Sequence, residues 1–507
     1  MSEETPETKE WVLEPGTEYR FELDPCTSLA VKAGIQLSRG HAEIFGFELV
    51  EGQTYVFGAE CKGAIFTWQG CIIEMSLFRA HLVINCYFHV TGHPSTDYVS
   101  EETPMNAYGN LHVAFEQMRV RALGVLNGSP PPPDTKPDVN AEPPRVLILG
   151  PENSGKTSVC KILVNYAVRA GQGWTPLLVN LDPSEGGWSA PGAVSVAPVS
   201  SPLPTSSPAN VLGTAATSAP TSLSSNALVP LAYWYGHPEP RKNTLLMDRL
   251  IRNLGENVRE RQDNDPRGSA AGIIVDTPSS LGSGPASSTE QRQRLIKACV
   301  ESFRINVILV VGHEKLNVEM QRAYGSRLTV VKIPKSGGVV ELDLGYRERV
   351  NNYQMHTYMY GQVIQPPAGI SASSVSADTF TDIILSPSSS VISFDDLTIY
   401  RIGAATMAPS DALPVGAKRV VSETQPVLVN PSQPGSGLLN AVLALLSPFN
   451  PDENERYDEE ILDLTVVGFL VITKLDIPQR KMTILAPNQG SVVGKTAIVG
   501  SYEWQDQ

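Results

Sequence analysis

Eight consecutive residues, Gly150-Pro151-Glu152-Asn153-Ser154-Gly155-Lys156-Thr157, fit the pattern G-x-x-x-x-G-K-[ST]. Glycines at these positions let backbone approach oxygen atoms closely, and successive N–H groups then face a polyphosphate. Lys156 can reach β and γ oxygens, and Thr157 can hold Mg²⁺ through its hydroxyl. Gly150, Asn153, Ser154, Gly155, Lys156, Thr157 and Ser158 are the candidate nucleotide contacts. Asp182, in Asn180-Leu181-Asp182-Pro183, and Asp276, in Val275-Asp276-Thr277-Pro278, each follow an apolar run. Carboxylates there hold Mg²⁺ directly or through water, so Thr157, Asp182 and Asp276 form the candidate metal set. The blander alternative for each aspartate is a turn cap.

A phosphate loop needs a strand before it and a helix after it. Val146-Leu147-Ile148-Leu149 supplies the strand, and Ser158 to Ala167 places Ile162, Leu163 and Tyr166 on one helical face. Further apolar strands, Leu177-Leu178-Val179-Asn180-Leu181, Gly272-Ile273-Ile274-Val275, Val307 to Val311 and Leu328 to Val331, alternate with helical stretches. Before the last two, Ser288 with Gln291 is read as a capping box for a helix burying Leu295, Ile296, Cys299, Val300 and Phe303. This pattern predicts a parallel sheet with helices on both faces and ligands at the strand C-termini.

On either side the signal is β. Short alternating strands between residues 11 and 91, including Tyr19 to Leu23, Gly40 to Leu49, Ala64 to Trp68 and Leu82 to Phe88, predict a β-sandwich. A helix over 106–123 carries Leu111, Phe115, Met118 and Ala122 as one stripe, with Gly124 as its stop, and a Pro-rich linker follows. Beyond residue 395 come Leu397 to Arg401, Val466 to Ile472 and Lys481 to Leu485. The expected organisation is an N-terminal β-sandwich (1–103), a helix and linker (104–140), a P-loop domain (141–362) and a small β-rich α+β C-terminal domain (363–507). Residues 186–238 contain no Asp, Glu, Lys or Arg, and 199–228 reads as a mobile insertion. The stretch 366–390 reads as partly loop, and the acidic run 451–463 as solvated loop.

Composition excludes several classes. The chain has 507 residues and a net charge of −14, which weighs against gripping nucleic acid by bulk electrostatics. Six cysteines, Cys26, Cys61, Cys71, Cys86, Cys160 and Cys299, lack C-x-x-C spacing, so reduced thiols are expected. The first residues are acidic, unlike a secretory signal, and no apolar run is long enough to span a bilayer. Trp234-Tyr235 reads as core rather than a base-stacking pair, and Arg249, Arg252, Arg259 and Arg261 as a solvated helix face. Thr473-Lys474-Leu475-Asp476 imitates a guanine-reading T/N-K-x-D string but sits in β alternation far from the phosphate loop, and reads as a hairpin.

The order of parts, together with Ala42-Glu43-Ile44-Phe45-Gly46-Phe47-Glu48-Leu49, Ile65-Phe66-Thr67-Trp68-Gln69-Gly70-Cys71, Asn110-Leu111-His112, Val164-Asn165-Tyr166-Ala167, Pro334-Lys335-Ser336-Gly337-Gly338-Val339-Val340-Glu341 and Tyr358-Met359-Tyr360-Gly361, resembles the ATP-binding Clp family of pre-mRNA cleavage factors IA and II. The relatives of that family are polynucleotide 5′-hydroxyl kinases. The resemblance spans nearly the whole chain outside the low-complexity stretches. It implies a nuclear protein that binds ATP and Mg²⁺ and joins a scaffold partner and other subunits of the cleavage complex, with RNA contact weak or indirect. It implies that the sandwich reads adenine, through Glu18 and Lys62, and that Arg347 and Arg349 are lid candidates.

Three departures bear on catalysis. Active members carry D-x-x-Q where this chain has Asp182-Pro183-Ser184-Glu185. They carry N-T-C-G-W, whose tryptophan clamps an RNA base, where this chain has Asp276-Thr277-Pro278-Ser279-Ser280. Their lid holds several arginines, where Tyr346-Arg347-Glu348-Arg349-Val350-Asn351-Asn352 keeps two. A transfer arginine is worth about 10³–10⁵ in rate, roughly 4–7 kcal/mol of barrier, and a stacked base about 1–3 kcal/mol. The expectation is a scaffold that holds ATP without turning it over. An active RNA 5′-hydroxyl kinase and a hydrolysing P-loop switch are the alternatives.

Overall fold

Side chains alternate across a strand, and in the second strand both faces are covered. Tyr19 and Phe21 point into a β-sandwich, while Glu18 and Arg20 point the other way and are still buried, at 4% and 7% exposure. What covers them is Tyr98, Glu102 and Thr103 together with Gly338 of the P-loop domain.

The computed structural model describes residues 8–25, 27–33, 40–79, 94–129, 141–208, 212, 230–283, 289–363, 382–402, 424–433, 435–449, 458–487 and 490–505. The sandwich strands are β1 (Thr8–Leu13), β2 (Glu18–Glu22), β3 (Thr27–Ala33), β4 (Ala42–Ile44), β5 (Phe47–Leu49), β6 (Thr54–Phe57), β7 (Lys62–Phe66), β8 (Cys71–Arg79) and β9 (Thr96–Ser100). They form antiparallel sheets ordered β1-β8-β3-β6 and β5-β4-β7-β2-β9, with Leu13, Tyr19, Phe21, Phe57, Ile65 and Ile73 between them. The expected strand 82–88 lies outside the described residues.

Helix α1 (Met105–Leu126) runs through Gly124, longer than the sequence suggested, and stops at Asn127 before Gly128 at φ 70°. A mid-helix glycine costs only about 1 kcal/mol, and burial of Phe115, Arg119 and Ala122 outweighs it. Arg119 is held by its Nε donating to Ala271 O at 2.9 Å.

The central sheet contains β10 (Arg145–Leu149), β11 (Leu177–Asn180), β12 (Ala193–Pro198), β13 (Leu231–Trp234), β14 (Ile273–Asp276), β15 (Val307–Val311) and β16 (Thr329–Ile333), ordered β13-β12-β11-β14-β10-β15-β16. Five strands are parallel as expected, but β12 and β13 add antiparallel, so the sheet is mixed. Helices α2 (Lys156–Arg169), α3 (Thr244–Asn264), the single turn α4 (Pro266–Ser269), α5 (Thr289–Ser302), α6 (Glu314–Tyr324) and α7 (Leu344–Tyr360) complete the domain. Alternation in β10 sends Val146 and Ile148 to the face packed by α1 and α2. It sends Leu147 and Leu149 to the face packed by α3, α5 and α6. Trp234 and Tyr235 are core on the latter face. Ser288, the expected cap of α5, lies outside the described residues.

The insertion does not begin where composition placed it. Val199, Leu203 and Leu212 are buried, and only 209–211 and 213–228 of that stretch lie outside the described residues.

Strands β17 (Gly361–Val363) and β18 (Asp382–Ile384) pair as a short ribbon. The last sheet holds β19 (Ser388–Ser393), β20 (Leu397–Ile402), β21 (Pro426–Leu428), β22 (Ala441–Leu446), β23 (Val466–Asp476), β24 (Lys481–Ala486) and β25 (Lys495–Glu503), ordered β19-β24-β23-β22-β25-β20-β21. Among the described residues beyond β18, helical structure is limited to 3₁₀ turns, Phe394–Asp396 and Asp458–Asp463; the helix implied by an α+β description is absent there. The second turn replaces part of the expected acidic loop by burying Ile461 and Leu462. Strand β22 is buried on both faces: Leu443 and Leu445 serve its own domain, Val442 and Ala444 the P-loop domain. The two domains meet backbone to backbone, with Ser501 N donating to Gly236 O at 2.7 Å and no room for a side chain at Gly500.

Candidate functional site

The sandwich, the phosphate loop and α7 enclose one cavity of about 550 Å³, within the usual range of about 300–1,000 Å³ for ligand pockets. Its floor is the turn between β10 and α2. Asn153 (φ 50°) and Gly155 (φ 83°) take left-handed conformations that reverse the chain over the start of α2. A side chain at Gly155 would meet Val339 at 2.9 Å, and one at Gly150 would meet Ser154 Oγ at 2.6 Å. No side chain caps the N-terminus of α2, and its first turn carries no acid. The exposed N–H groups and the positive end of the helix therefore face the cavity. Ser154 Oγ and Lys156 Nζ both donate to Pro151 O, at 2.8 and 3.1 Å, which holds the loop in shape.

Three carboxylates converge beside Lys156 and Thr157. Thr157 Oγ1 donates to Glu185 Oε2 at 3.0 Å. Asp182 accepts from Ser184 N and Oγ, at 3.0 and 2.6 Å. Asp276 is 1% exposed, and neither of its oxygens has a hydrogen-bond partner. Burial, joined by the charge of Asp182 and opposed by Lys156, pushes Asp276 up to about 6. Burial, with the charges of Asp182 and Asp276, pushes Glu185 up to about 7. Such a cluster calls for a cation. No group of three His, Cys, Asp or Glu side chains among the described residues is placed to enclose one alone. That fits Mg²⁺, which keeps several waters and shares phosphate oxygens; Thr157, Asp182 and Asp276 would hold it, Asp276 through the charge it supplies from behind the wall.

At the sandwich end, Glu18 Oε1 accepts from Arg20 Nε at 2.5 Å and Oε2 from Thr103 Oγ1 at 3.0 Å. Lys62 donates to Glu22 Oε2 at 2.6 Å, and its ammonium lies 5.3 Å from the centre of the Tyr346 ring. Arg20 packs against Gly338, where a Cβ would come within 2.6 Å of its Nε. That contact explains a glycine in the Ser336-Gly337-Gly338 string.

The cavity thus brings together Glu18, Lys62, Asn153, Ser154, Gly155, Lys156, Thr157, Ser158, Asp182 and Arg347. Gly150 and Asp276 lie behind its wall, shaping the loop and supplying charge. The two lid candidates part company. Arg347 reaches the phosphate loop, bonding Asn153 Oδ1 and Glu152 Oε1 at 2.9 Å each. Arg349 points away from the cavity and pairs through Nε with Glu60 Oε1 at 2.6 Å. Its part is to tie α7 to the sandwich, because Glu60 is otherwise a buried carboxylate. Ser279, in the turn Ser279–Leu281, lines the cavity, with Ser280, the residue at the clamp position, beside it.

Sequence reasoning missed Arg20, Glu22, Tyr346 and Gln354. Gln354 donates to Glu185 O at 2.6 Å and fixes the Asp182–Glu185 turn from α7. The alternation of β2 carried a signal for Arg20; none marked Gln354. Among the described residues no helix is long and apolar enough to cross a membrane, and Cys61, Cys71, Cys160 and Cys299 are unpaired.

Comparisons with known proteins agree along the whole chain. Residues 12–122 match the N-terminal beta-sandwich domain of polyadenylation factor, 150–361 the mRNA cleavage and polyadenylation factor CLP1 P-loop, and 385–506 the Pre-mRNA cleavage complex II protein Clp1. The mRNA cleavage and polyadenylation factor CLP1 of Laccaria bicolor is 70% identical over 99% of both chains. That of Mycosarcoma maydis is 32% identical over 97% of this chain and 98% of its own. The Protein CLP1 homolog of Nematostella vectensis is 30% identical over 99% and 97%. Among solved structures, the Clp1p chain of a wild-type Clp1p–Pcf11p complex aligns with a TM-score of 0.71 at 23% identity over 99% of both chains. Another, concerned with an extended Pcf11p–Clp1p interface and ATP loss in a point mutant, aligns with a TM-score of 0.73 at 24% identity over 99% of both.

Proposed function

The chain belongs to the family of mRNA cleavage and polyadenylation factor CLP1 and acts in pre-mRNA 3′-end processing; from that premise we propose that it is a nuclear scaffold subunit that holds ATP·Mg²⁺ rather than turning it over. One observation carries the reading: a cavity joins the sandwich to a complete phosphate cradle, while the set of groups that would transfer the phosphoryl is incomplete. Against the pattern that the resemblance implies for active relatives, Glu185 stands in place of glutamine and Ser280 in place of the clamp, and of the two lid candidates only Arg347 bonds the loop.

Mg²⁺ would be held by Thr157, Asp182 and Asp276, neutralising phosphate charge beside three carboxylates. Lys156 and the α2 N-terminus bind the phosphates, and Glu18 and Lys62 take the adenine end. A ligand present at 100 times its Kd stabilises the closed form by about 2.7 kcal/mol, which gives the nucleotide a structural task without hydrolysis. The partner class is a Pcf11p-like protein, since the structural neighbours are Clp1p chains studied with Pcf11p. A net charge of −14 favours assembly through protein contacts over direct RNA binding.

The test is the nucleotide that co-purifies. Denatured protein should release intact ATP on ion-exchange chromatography after days at room temperature. ADP in its place supports a hydrolysing switch and sinks the scaffold. Transfer of label from ATP to a 5′-hydroxyl RNA at about 1–100 per second supports a kinase and sinks it equally.

A further inference from the structure

The turn after β11 is closed by backbone. Glu185 N donates to Asp182 O at 3.3 Å, and Glu185 O accepts from Gly187 N at 2.8 Å and from Gln354 Nε2 at 2.6 Å. Gly186 (φ 63°) and Gly187 (φ 54°) then carry the chain away. None of these bonds uses the Glu185 side chain, so the turn does not require a glutamate. Glu185 is half-buried, keeps accessible surface, and lines the cavity with Asp182 and Thr157. Among the described residues its side chain has one hydrogen bond, which Oε2 accepts from Thr157 Oγ1 at 3.0 Å.

An ionised carboxylate can only accept, so Thr157 gives it the single hydrogen of its hydroxyl. The lone pairs of Thr157 Oγ1 are then left for a cation, the orientation that a hydroxyl ligand needs. A glutamine could accept the same hydrogen, but it would bring no charge. Glutamate brings one, and with Asp182 and Asp276 it makes three carboxylates opposed by Lys156. Those charges repel a bare triphosphate and attract one that carries a divalent cation. We infer that Glu185 is a positioning residue of the cation site: it takes the Thr157 hydrogen, turns that hydroxyl toward Mg²⁺, and supplies a charge that makes nucleotide binding depend on the cation. This deepens the proposal that the cavity holds ATP·Mg²⁺ and rests on it.

Calorimetric titration of nucleotide-stripped, full-length protein with ATP tests the inference. It is run at about pH 8, where Glu185 is mostly ionised, once with Mg²⁺ and once with EDTA. The ratio of the two affinities is the factor by which the cation tightens ATP. Glu185→Gln keeps the shape and one acceptor and removes the charge. It should lower that factor about 10–100-fold, the usual cost of losing a group that supports a metal ligand, by weakening Mg·ATP and tightening metal-free ATP. In a Thr157→Ala background the same substitution should lower the factor less, because the hydroxyl it orients is gone. A Glu185→Gln protein whose two affinities move together, or do not move, overturns the inference and leaves the nucleotide reading intact. So does an undiminished effect in the Thr157→Ala background. Wild-type protein that binds ATP in neither buffer overturns the two together.

Discussion

The two ends of the cavity are built on opposite terms. At the phosphate end, backbone donors are left for a ligand to complete: α2 has no side-chain cap and no acid in its first turn. At the sandwich end the polar groups already complete one another, Glu18 with Arg20 and Thr103, Lys62 with Glu22. A ligand entering the first end would meet donors with no partner to displace, and would gain their full worth. A ligand entering the second must displace an existing bond for each one it makes, and gains only the difference. On the proposed reading, affinity belongs to the loop, and shape and selectivity to the sandwich.

Paired variants put that division under the greatest strain. Lys156→Ala with Thr157→Ala removes two contacts to charged phosphate or its cation. Charge-assisted hydrogen bonds are worth about 1.5–3 kcal/mol each, so affinity for ATP should fall roughly 10²–10⁴-fold. Lys62→Met keeps the aliphatic stem and removes one exchangeable bond, and its loss should stay under about tenfold. Calorimetric titration of both proteins decides the matter. A Lys62→Met loss equal to that of the double variant would mean that the sandwich, not the loop, dominates binding.

The carboxylate cluster sharpens the contrast through pH. Glu185 has its folded pKa raised from 4.5 to about 7 by burial and the neighbouring aspartates. Between those values the folded chain keeps a proton that the unfolded chain has lost. Its contribution to stability is thus fully present below about pH 4.5, fades as pH rises, and is gone above about pH 7. In nucleotide-stripped protein, Glu185→Gln should flatten the fall in melting temperature between pH 5 and 8 and raise stability most at pH 8. Identical pH profiles for wild type and Glu185→Gln would remove Glu185 from the charge balance of the site.

The loop was legible because its chemistry demands residue types at fixed spacing, and both flanks carried the right periodicity. The sandwich was legible through alternation, which also held the clue that Glu18 and Arg20 share a face. Strand direction was not: β12 and β13 are apolar runs like their neighbours, and only their pairing makes them antiparallel. Composition misread residues 199–208, because a Ser/Pro-rich average hides Val199 and Leu203, two side chains of the segment that are buried. Gln354 and Tyr346 were illegible for a different reason. They reach the site from α7, and Gln354 lies 169 residues from its partner Glu185, a separation over which no spacing rule operates.

The smallest effect is expected at the string that most tempts a functional assignment. Thr473-Lys474-Leu475-Asp476 ends β23, and Asp476 Oδ1 accepts from Gln479 N at 3.1 Å in the turn before β24. Both the string and the turn belong to the C-terminal sheet, and none of its residues lines the nucleotide cavity. Asp476→Asn keeps an oxygen acceptor for the turn, so stability should change by under about 0.5 kcal/mol and the preference between ATP and GTP should not move. A guanine-reading aspartate would behave differently, since exchanging its carboxylate for an amide alters the donor–acceptor pattern offered to the base. Competition of GTP against bound ATP in the wild type and Asp476→Asn therefore separates a turn residue from a base reader, and any shift in that competition would assign the C-terminal sheet a share in nucleotide choice that the cavity between sandwich and loop gives it no means to exert.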